Sequence, residues 1–409
     1  MPDTKDNIFS GLKVLDIASF IAGPAATTIL SDYGAEVIKV EPPHTGDPHR
    51  FFNLAPPNPQ CAVNYAWELT NRNKRGIAID LKSAEAPTVL RRLIEWADVL
   101  VTNYPPKVRH ALGLSYEIVA PLNPRLIYAD ITGYGAAGAE ADKPGFDITA
   151  YWARTGLMDV IHDADSAPTL PVPGIGDHAT ATGLYASIVT ALYARERTGK
   201  GCHATTSLIA EGVWAAGAWV EAALHGARFF PQHDRRSPPN AVVNPFRTQD
   251  GRWILPCIIQ EKDWPGFVAA IGHDDLLQDP RFTDAKARGV NSAALVEILD
   301  GVFAGQPLAH WREAFETGRV IFSVIQTMDE VAHDPQMLAN AVLAPLAEPH
   351  GTATHTVNSP IQVVDFTKVP PRRAPKLGEH TEAILADLGF SPADRARLIA
   401  QQVVEIHSG

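Results

Sequence analysis

Two aspartates set among small residues are the side chains best placed to do chemistry. Asp177 stands in "PGIGDHATATG", between a glycine-bearing turn and a long apolar-patterned stretch, and Asp147 stands in "PGFD". A carboxylate at the head of a helix can act as an N-cap, accepting backbone N–H bonds. The same position also suits covalent catalysis. Helix-terminal amides keep the carboxylate ionised, the "GIG" turn admits a reacting carbonyl, the oxygen can attack an acyl carbon, and nearby N–H groups can receive the oxyanion. Sequence alone leaves both roles open for Asp177. Asp147 is a turn or cap residue, or a second active-site carboxylate. His178 adjoins Asp177, but adjacent helical residues face different ways, so it reads as an ordinary first-turn residue. His110 and His203 are isolated.

A second candidate is "ITGYGAAGAEADKPGFD" (131–147), where Gly133, Gly135 and Gly138 spell G-x-G-x-x-G after an apolar run. A dinucleotide fingerprint needs its last glycine to open a helix, and it belongs after the first strand of the domain. Here Gly138 leads into "AEADKPG" at about the fifth strand, so the glycines serve backbone shape in a loop at the sheet's carboxyl edge. The chain contains no G-x-S-x-G, H-E-x-x-H or G-x-x-x-x-G-K-[ST]. Cys61, Cys202 and Cys257 are far apart with no C-x-x-C spacing, which argues against zinc and disulfides and for a reducing compartment. No metal is expected.

The elements that must hold these residues are legible in the first third. Near-continuous apolar runs at 13–18, 35–41, 76–81, 98–104 and 126–132 alternate with helical stretches. That pattern predicts an open α/β domain with a parallel sheet covered on both faces. Helical spacing from 178 to 198, stopped by "GKG", predicts a long buried helix, with a second at 206–228. The Pro-rich 229–245 reads as a domain crossing, followed by a hairpin turning at Asp250-Gly251 and three helices. The first domain thus spans 1–229, and a smaller α+β domain spans 230–330. Beyond them, 352–366 reads as strand and 378–404 as helix.

Composition narrows the function classes. The 409 residues carry 45% hydrophobic and 20% charged side chains and a formal charge of −11. Those are the numbers of a globular protein of two domains. The negative charge, without any Lys/Arg run, disfavours nucleic acid as a partner. "MPDTKDNIFSGLK" has no apolar signal core, and the most hydrophobic helical stretch carries Glu211 and Glu221, so the expectation is a soluble, cytoplasmic protein without membrane contact.

Six blocks, in chain order, resemble one family: 11–50, "NRNKRGIAIDLKS" (71–83), "ADVLVTNY" (97–104), "LNPRLIYADITGYG" (122–135), 174–201 and "LGEHTEAILADLGFS" (377–391). The chain is similar, over nearly its whole length, to the class III CoA-transferases, whose members act on formate and oxalate, carnitine, bile acids and aryl-substituted acids. The resemblance implies that Asp177 is the nucleophile of an aspartyl-CoA thioester and mixed-anhydride shuttle, with Asp147 in support. It implies an acyl-CoA and a small carboxylic acid as substrates, with coenzyme A lying along Ile21-Ala22, along Ile79, Asp80, Leu81 and Lys82, and at Asn103-Tyr104. It further implies a large Rossmann-like domain built from both chain ends, with 331–409 returning to it, and a homodimer interlocked as rings.

The chain also departs from the family pattern. Pro42 and Ala111 stand where some members have basic residues, so Arg109 or Lys107 is expected to supply part of the grip on the CoA phosphates. The glycine-rich cover loop of the oxalate-using members is not seen in "SPPNAVVNPF" (237–246). The acceptor is therefore expected to be larger than oxalate, ring-bearing or branched. Alternatives are an intramolecular CoA-transferase acting on a dicarboxylic acid, an α-methylacyl-CoA racemase, or an inactive CoA-binding protein. The racemase needs an acid/base histidine where this chain has Phe146.

Overall fold

The computed structural model describes residues 7–164, 166–229 and 231–407. The domain junction expected at 230 and the first six residues of the N-terminal segment lie outside these. The described residues divide into two compact units, one of 7–158, 170–225 and 335–407, the other of 159–164, 166–169, 226–229 and 231–334. The segment 159–169, assigned from sequence to the first domain, thus belongs to the second unit, and the return to the first unit starts at 335 rather than 331.

The first unit is built on a seven-stranded sheet. Its strands are β1 (Lys13–Ile17), β2 (Glu36–Glu41), β3 (Arg75–Ile79), β4 (Val99–Thr102), β5 (Ile127–Thr132), β6 (His203–Ser207) and a C-terminal strand Val404–Glu405. The order is C-terminal strand, β3, β2, β1, β4, β5, β6. All neighbours pair parallel except the C-terminal strand, which runs antiparallel to β3. Successive side chains of a strand face opposite ways. Leu15 and Ile17 enter one core with Leu90, Leu93 and Ile384, while Val14, Val101 and Ile131 enter the other with Ala26, Leu30, Leu184 and Ile188. Both faces are buried, which is why the strands read as unbroken apolar runs.

Two helices of the second core matter for function, α1 (Ala22–Asp32) and α2 (Ile175–Thr198). They share that core through small residues, Ala22, Ala25 and Ala26 with Ala181 and Ala191, which lets their backbones approach. α1 follows directly from the carboxyl end of β1, and the loop after β5 carries Asp147. That edge is where α/β sheets place their sites.

The sequence misplaced some elements. β6, "HATTS", is too polar and short for an apolar-run criterion, although it pairs with β5 from Tyr128↔His203 to Thr132↔Ser207. The helix expected over 206–228 is two helices, Leu208–Ala215 and Gly217–Leu224, with Ser207 capping the first through Ala210 N–H. The strand expected over 352–366 is only Ala353–Val357, paired with Leu343–His350.

In the second unit, β7 (Phe246–Arg247) and β8 (Trp253–Pro256) form the expected hairpin, Gly251 taking φ +78° in its turn, and β9 (Phe322–Val324) pairs antiparallel with β8. The helices Trp264–Ala270, Ser292–Ala304 and Leu308–Gly318 cover them around Phe267, Phe303 and Phe315.

Candidate active site

α2 begins one turn earlier than its apolar spacing suggests. Gly174 is the N-cap, at φ +95°, and Asp177 is the third helical residue with no capping bond. Residues with a side chain rarely take that φ, so the turn into α2 needs glycine there. The helix is capped from a distance. Asp147, 4% exposed, accepts from Gly174 N–H at 2.5 Å and Gly176 N–H at 3.1 Å. Of the roles that sequence left open for each aspartate, capping thus falls to Asp147, which accepts from two of the helix-terminal amides, and not to Asp177.

This reverses one electrostatic expectation. The amides do not keep Asp177 ionised. Burial, followed by the neighbouring charge of Asp147, pushes its carboxyl up to about 7. Burial also raises Asp147, opposed by the two N–H groups it accepts from. A carboxylate raised in this way is a stronger nucleophile once ionised, because its charge is poorly solvated.

Glycines permit the close packing. A β-carbon on Gly176 would lie 2.3 Å from Asp147 Oδ1 and 2.3 Å from the Tyr151 ring. One on Gly133 would lie 2.9 Å from Gly145 Cα, so the loop after β5 folds back on itself just before Phe146 and Asp147. Gly135 and Gly138 take φ of +93° and +87°. The glycine-rich motif thus shapes the loop that delivers Asp147, whose first turn, Asp147–Ala153, is a π-helix.

The opposite wall is the turn from β1 into α1. Ile21 is the N-cap of α1, without a side-chain cap, and Ala22 is its first residue. Ile21 Cδ1 lies 3.0 Å from where a Gly174 β-carbon would be. Phe20 meets Phe146 edge to face at 5.6 Å, and both rings are partly exposed. Ile21, Ala22, Asp147 and Asp177 are thereby gathered at the heads of two packed helices.

The remaining expected residues separate. Leu81 and Lys82 line a cavity of about 990 Å³ together with Arg91, Lys107 and His110. Asp80 closes the turn that precedes it by accepting from Lys82 N–H at 3.0 Å, and Ile79 is buried in the sheet core. Arg109 does not reach the cavity: its guanidinium is buried, donating to Asp130 and to Tyr128 Oη, so an arginine read as a phosphate ligand is an internal ion pair. Lys107 is open and, among the described residues, pairs with Asp142 at 3.1 Å. Asn103 spends its amide on the backbone of Ser19, and the Tyr104 phenol is raised by burial.

Sequence reasoning missed a buried charge cluster beneath this turn. Asp16, Lys39, Asp47 and Lys74 are all within 4% of full burial. The signal was present: Asp16 and Lys39 interrupt apolar strands, and a charge buried there must be paired.

Comparison with known proteins decides the family. Residues 9–381 match the sequence profile of CoA-transferase family III. The chain belongs to CoA-transferase family III. It is 32% identical over 385 residues to (R)-2-hydroxy-4-methylpentanoate CoA-transferase of Clostridioides difficile, covering 94% of this chain and 96% of that one. It is 31% identical over 400 residues to cinnamoyl-CoA:phenyllactate CoA-transferase of Clostridium sporogenes, covering 95% of each. A CAIB/BAIF family protein from Brucella suis superposes with a TM-score of 0.81 at 30% identity, covering 93% of this chain and 99% of that one. This family III member is accordingly a CoA-transferase that uses CoA thioesters. No helix among the described residues is long and apolar enough to cross a membrane.

Proposed function

We propose that this enzyme moves CoA from an acyl-CoA to a ring-bearing or branched carboxylic acid through covalent attachment at Asp177. The ionised Asp177 oxygen attacks the thioester carbon, the C–S bond breaks, and a mixed anhydride and CoA thiolate result. The thiolate attacks the Asp177 carbonyl, the donor acid leaves with an Asp177 oxygen, and an aspartyl-CoA thioester remains. The acceptor carboxylate then runs the same two steps in reverse and departs as its CoA thioester. One thioester replaces another, so no ATP is consumed, and each covalent step is easier than direct exchange.

The observation that carries this reading is the division of labour at the head of α2. Asp147 takes the amides, which leaves Asp177 desolvated, half-buried and free to react. The head of α1, which has no side-chain cap, offers its amides to the carbonyl oxygen that gains charge. The cavity holding Lys82, Lys107 and Arg91 suits the phosphates of the CoA nucleotide, with Lys82 and Lys107 as point charges in place of Arg109.

The exposed Phe20–Phe146 pair supports an apolar acceptor over oxalate, in keeping with relatives named for a branched hydroxy acid and for phenyllactate. Phe146 cannot carry a proton, which disfavours racemisation. A second copy of the chain is proposed to cover Trp214, Trp219 and Leu224, which are 84%, 57% and 76% exposed, as an interlocked dimer would require. A cytoplasmic setting accords with three free cysteines.

Incubating the enzyme with acyl-CoA and then hydroxylamine is expected to yield a hydroxamate on the peptide containing Asp177. Equal transfer by the wild type, Asp177→Asn and Asp177→Ala would remove the proposal.

A further inference from the structure

The turn from Ala18 to Ile21 is held more tightly than a surface turn requires. Asp16 Oδ1 accepts from Ala18 N–H at 3.1 Å. Ser19 is bracketed by Asn103, its N–H donating at 2.9 Å and its carbonyl accepting at 2.7 Å. Asp47 Oδ1 accepts from Phe20 N–H and His49 N–H, each at 3.0 Å. Behind these contacts Lys39 pairs with Asp47 at 3.0 Å and donates to the Ala18 carbonyl, while Lys74 reaches Asp16 at 2.9 Å and the Pro24 carbonyl at 2.8 Å. Phe20 takes φ +62°, a conformation a bulky residue keeps only when its surroundings over-determine it.

Four buried charges are costly unless each is paired, and a buried pair is seldom a net source of stability. Here three of the charges, Asp16, Lys39 and Asp47, hold the backbone of the Ala18–Ile21 turn at Ala18 and Phe20, and Lys74 ties Asp16 to the Pro24 carbonyl behind it. Ile21 packs on Gly174 at the head of the helix carrying Asp177, and Phe20 packs on Phe146, the neighbour of Asp147. We infer that Asp47 and Lys39 are positioning residues for acyl transfer, fixing the Ala18–Ile21 wall so that the thioester carbon is presented to Asp177. The inference rests on the proposed covalent chemistry at Asp177. Neither residue needs to touch substrate. Each acts through the Phe20 N–H or the Ala18 carbonyl.

The test is single-turnover formation of the Asp177 adduct, with its rate constant and final amplitude read separately. Misplacing reacting groups by about 1 Å costs on the order of 100-fold in rate. Asp47→Ala, which deletes the carboxylate that accepts from the Phe20 and His49 N–H groups, is expected to slow adduct formation about 100-fold at undiminished amplitude. Asp47→Asn, which keeps an acceptor for Phe20 N–H, is expected to lose only about 10-fold, so the order of the two variants reports the hydrogen bond rather than the charge. Should both destabilise the protein too far, the double variant Lys39→Met/Asp47→Asn removes one charge of each sign and, having lost the Lys39 bond to the Ala18 carbonyl as well, is expected to react at least about 10-fold more slowly than the wild type at full amplitude.

Loss of amplitude with an unchanged rate constant, meaning fewer folded sites working normally, would overturn the inference, as would wild-type rates in all variants. A wild-type enzyme that forms no Asp177 adduct would instead overturn the covalent reading on which it rests.

Discussion

The heads of α1 and α2 lie side by side at the same edge of the sheet, yet they are finished in opposite ways. At α2 two of the terminal amides, those of Gly174 and Gly176, donate to Asp147, which lies 27 residues upstream of Gly174. At α1 no side chain caps the helix, and the turn before it is held from beneath by buried charges. One end has two of its amides occupied by a carboxylate and carries Asp177. The other has no side-chain acceptor at its N-cap, which in the proposed mechanism leaves its amides for a developing negative charge. The comparison teaches that a helix dipole need not stabilise the nucleophile placed on it. Here a second carboxylate, Asp147, accepts from the amides at one helix head, while the other has no side-chain cap.

Breaking the reactive end has the largest expected effect. Asp177→Asn removes the nucleophile, and kcat for transfer should fall by about 10⁴-fold or more. Next is the cap. Asp147→Ala leaves two helix-terminal amides without their acceptor and should cost about 1–2 kcal/mol of stability in denaturant titrations. Asp147→Asn removes the charge that helps to raise Asp177, so the rising limb of the pH–rate profile, expected near 7 in the wild type, should move to lower pH. An unmoved limb would mean that the two carboxyls do not interact.

A subtler comparison uses stability against pH. The folded-state pKa of Asp177 lies above its model-peptide value of 3.8, so the folded protein loses stability as pH rises from about 4 to about 7. Asp177→Asn should therefore raise the free energy of unfolding at pH 8 by about a few kcal/mol at most, and Tm with it. It should leave Tm near its wild-type value below pH 4. The smallest effect belongs to the cavity lined by Lys82 and Lys107. Lys82→Ala and Lys107→Ala are each expected to raise KM for acyl-CoA about threefold at low salt, less at high salt, with kcat unchanged.

How much of this was legible in the sequence follows from how local each feature is. The five leading strands could be read because both of their faces are buried, which writes the burial directly as apolar runs. The long helix was visible from its spacing, but its start was placed three residues late, at His178 rather than Ile175, because the Gly-Ile-Gly turn carries no periodic signal. The cap could not be read at all. Asp147 meets Gly174 only because Gly133 and Gly145 allow the loop after β5 to fold back, a contact set by tertiary packing. Arg109 was misread for the converse reason: a basic residue on a short helix looks exposed until its partner, Asp130 on β5, is placed beneath it. The short strand Val404–Glu405 was hidden in what reads as the end of a helical stretch, since only its antiparallel pairing with β3 identifies it.

The claim that Asp177 rather than Asp147 bonds to the acyl group can be tested through the oxygen atoms. If the acceptor acid is supplied with ¹⁸O in its carboxylate, attack on the aspartyl thioester and return of the thiolate leave one labelled oxygen on the aspartate. The account predicts a gain of about 2 Da per labelled oxygen on the Asp177 peptide after turnover, with none on the peptide holding Asp147. Label found on Asp147, or retained entirely in the acyl-CoA product, would contradict it.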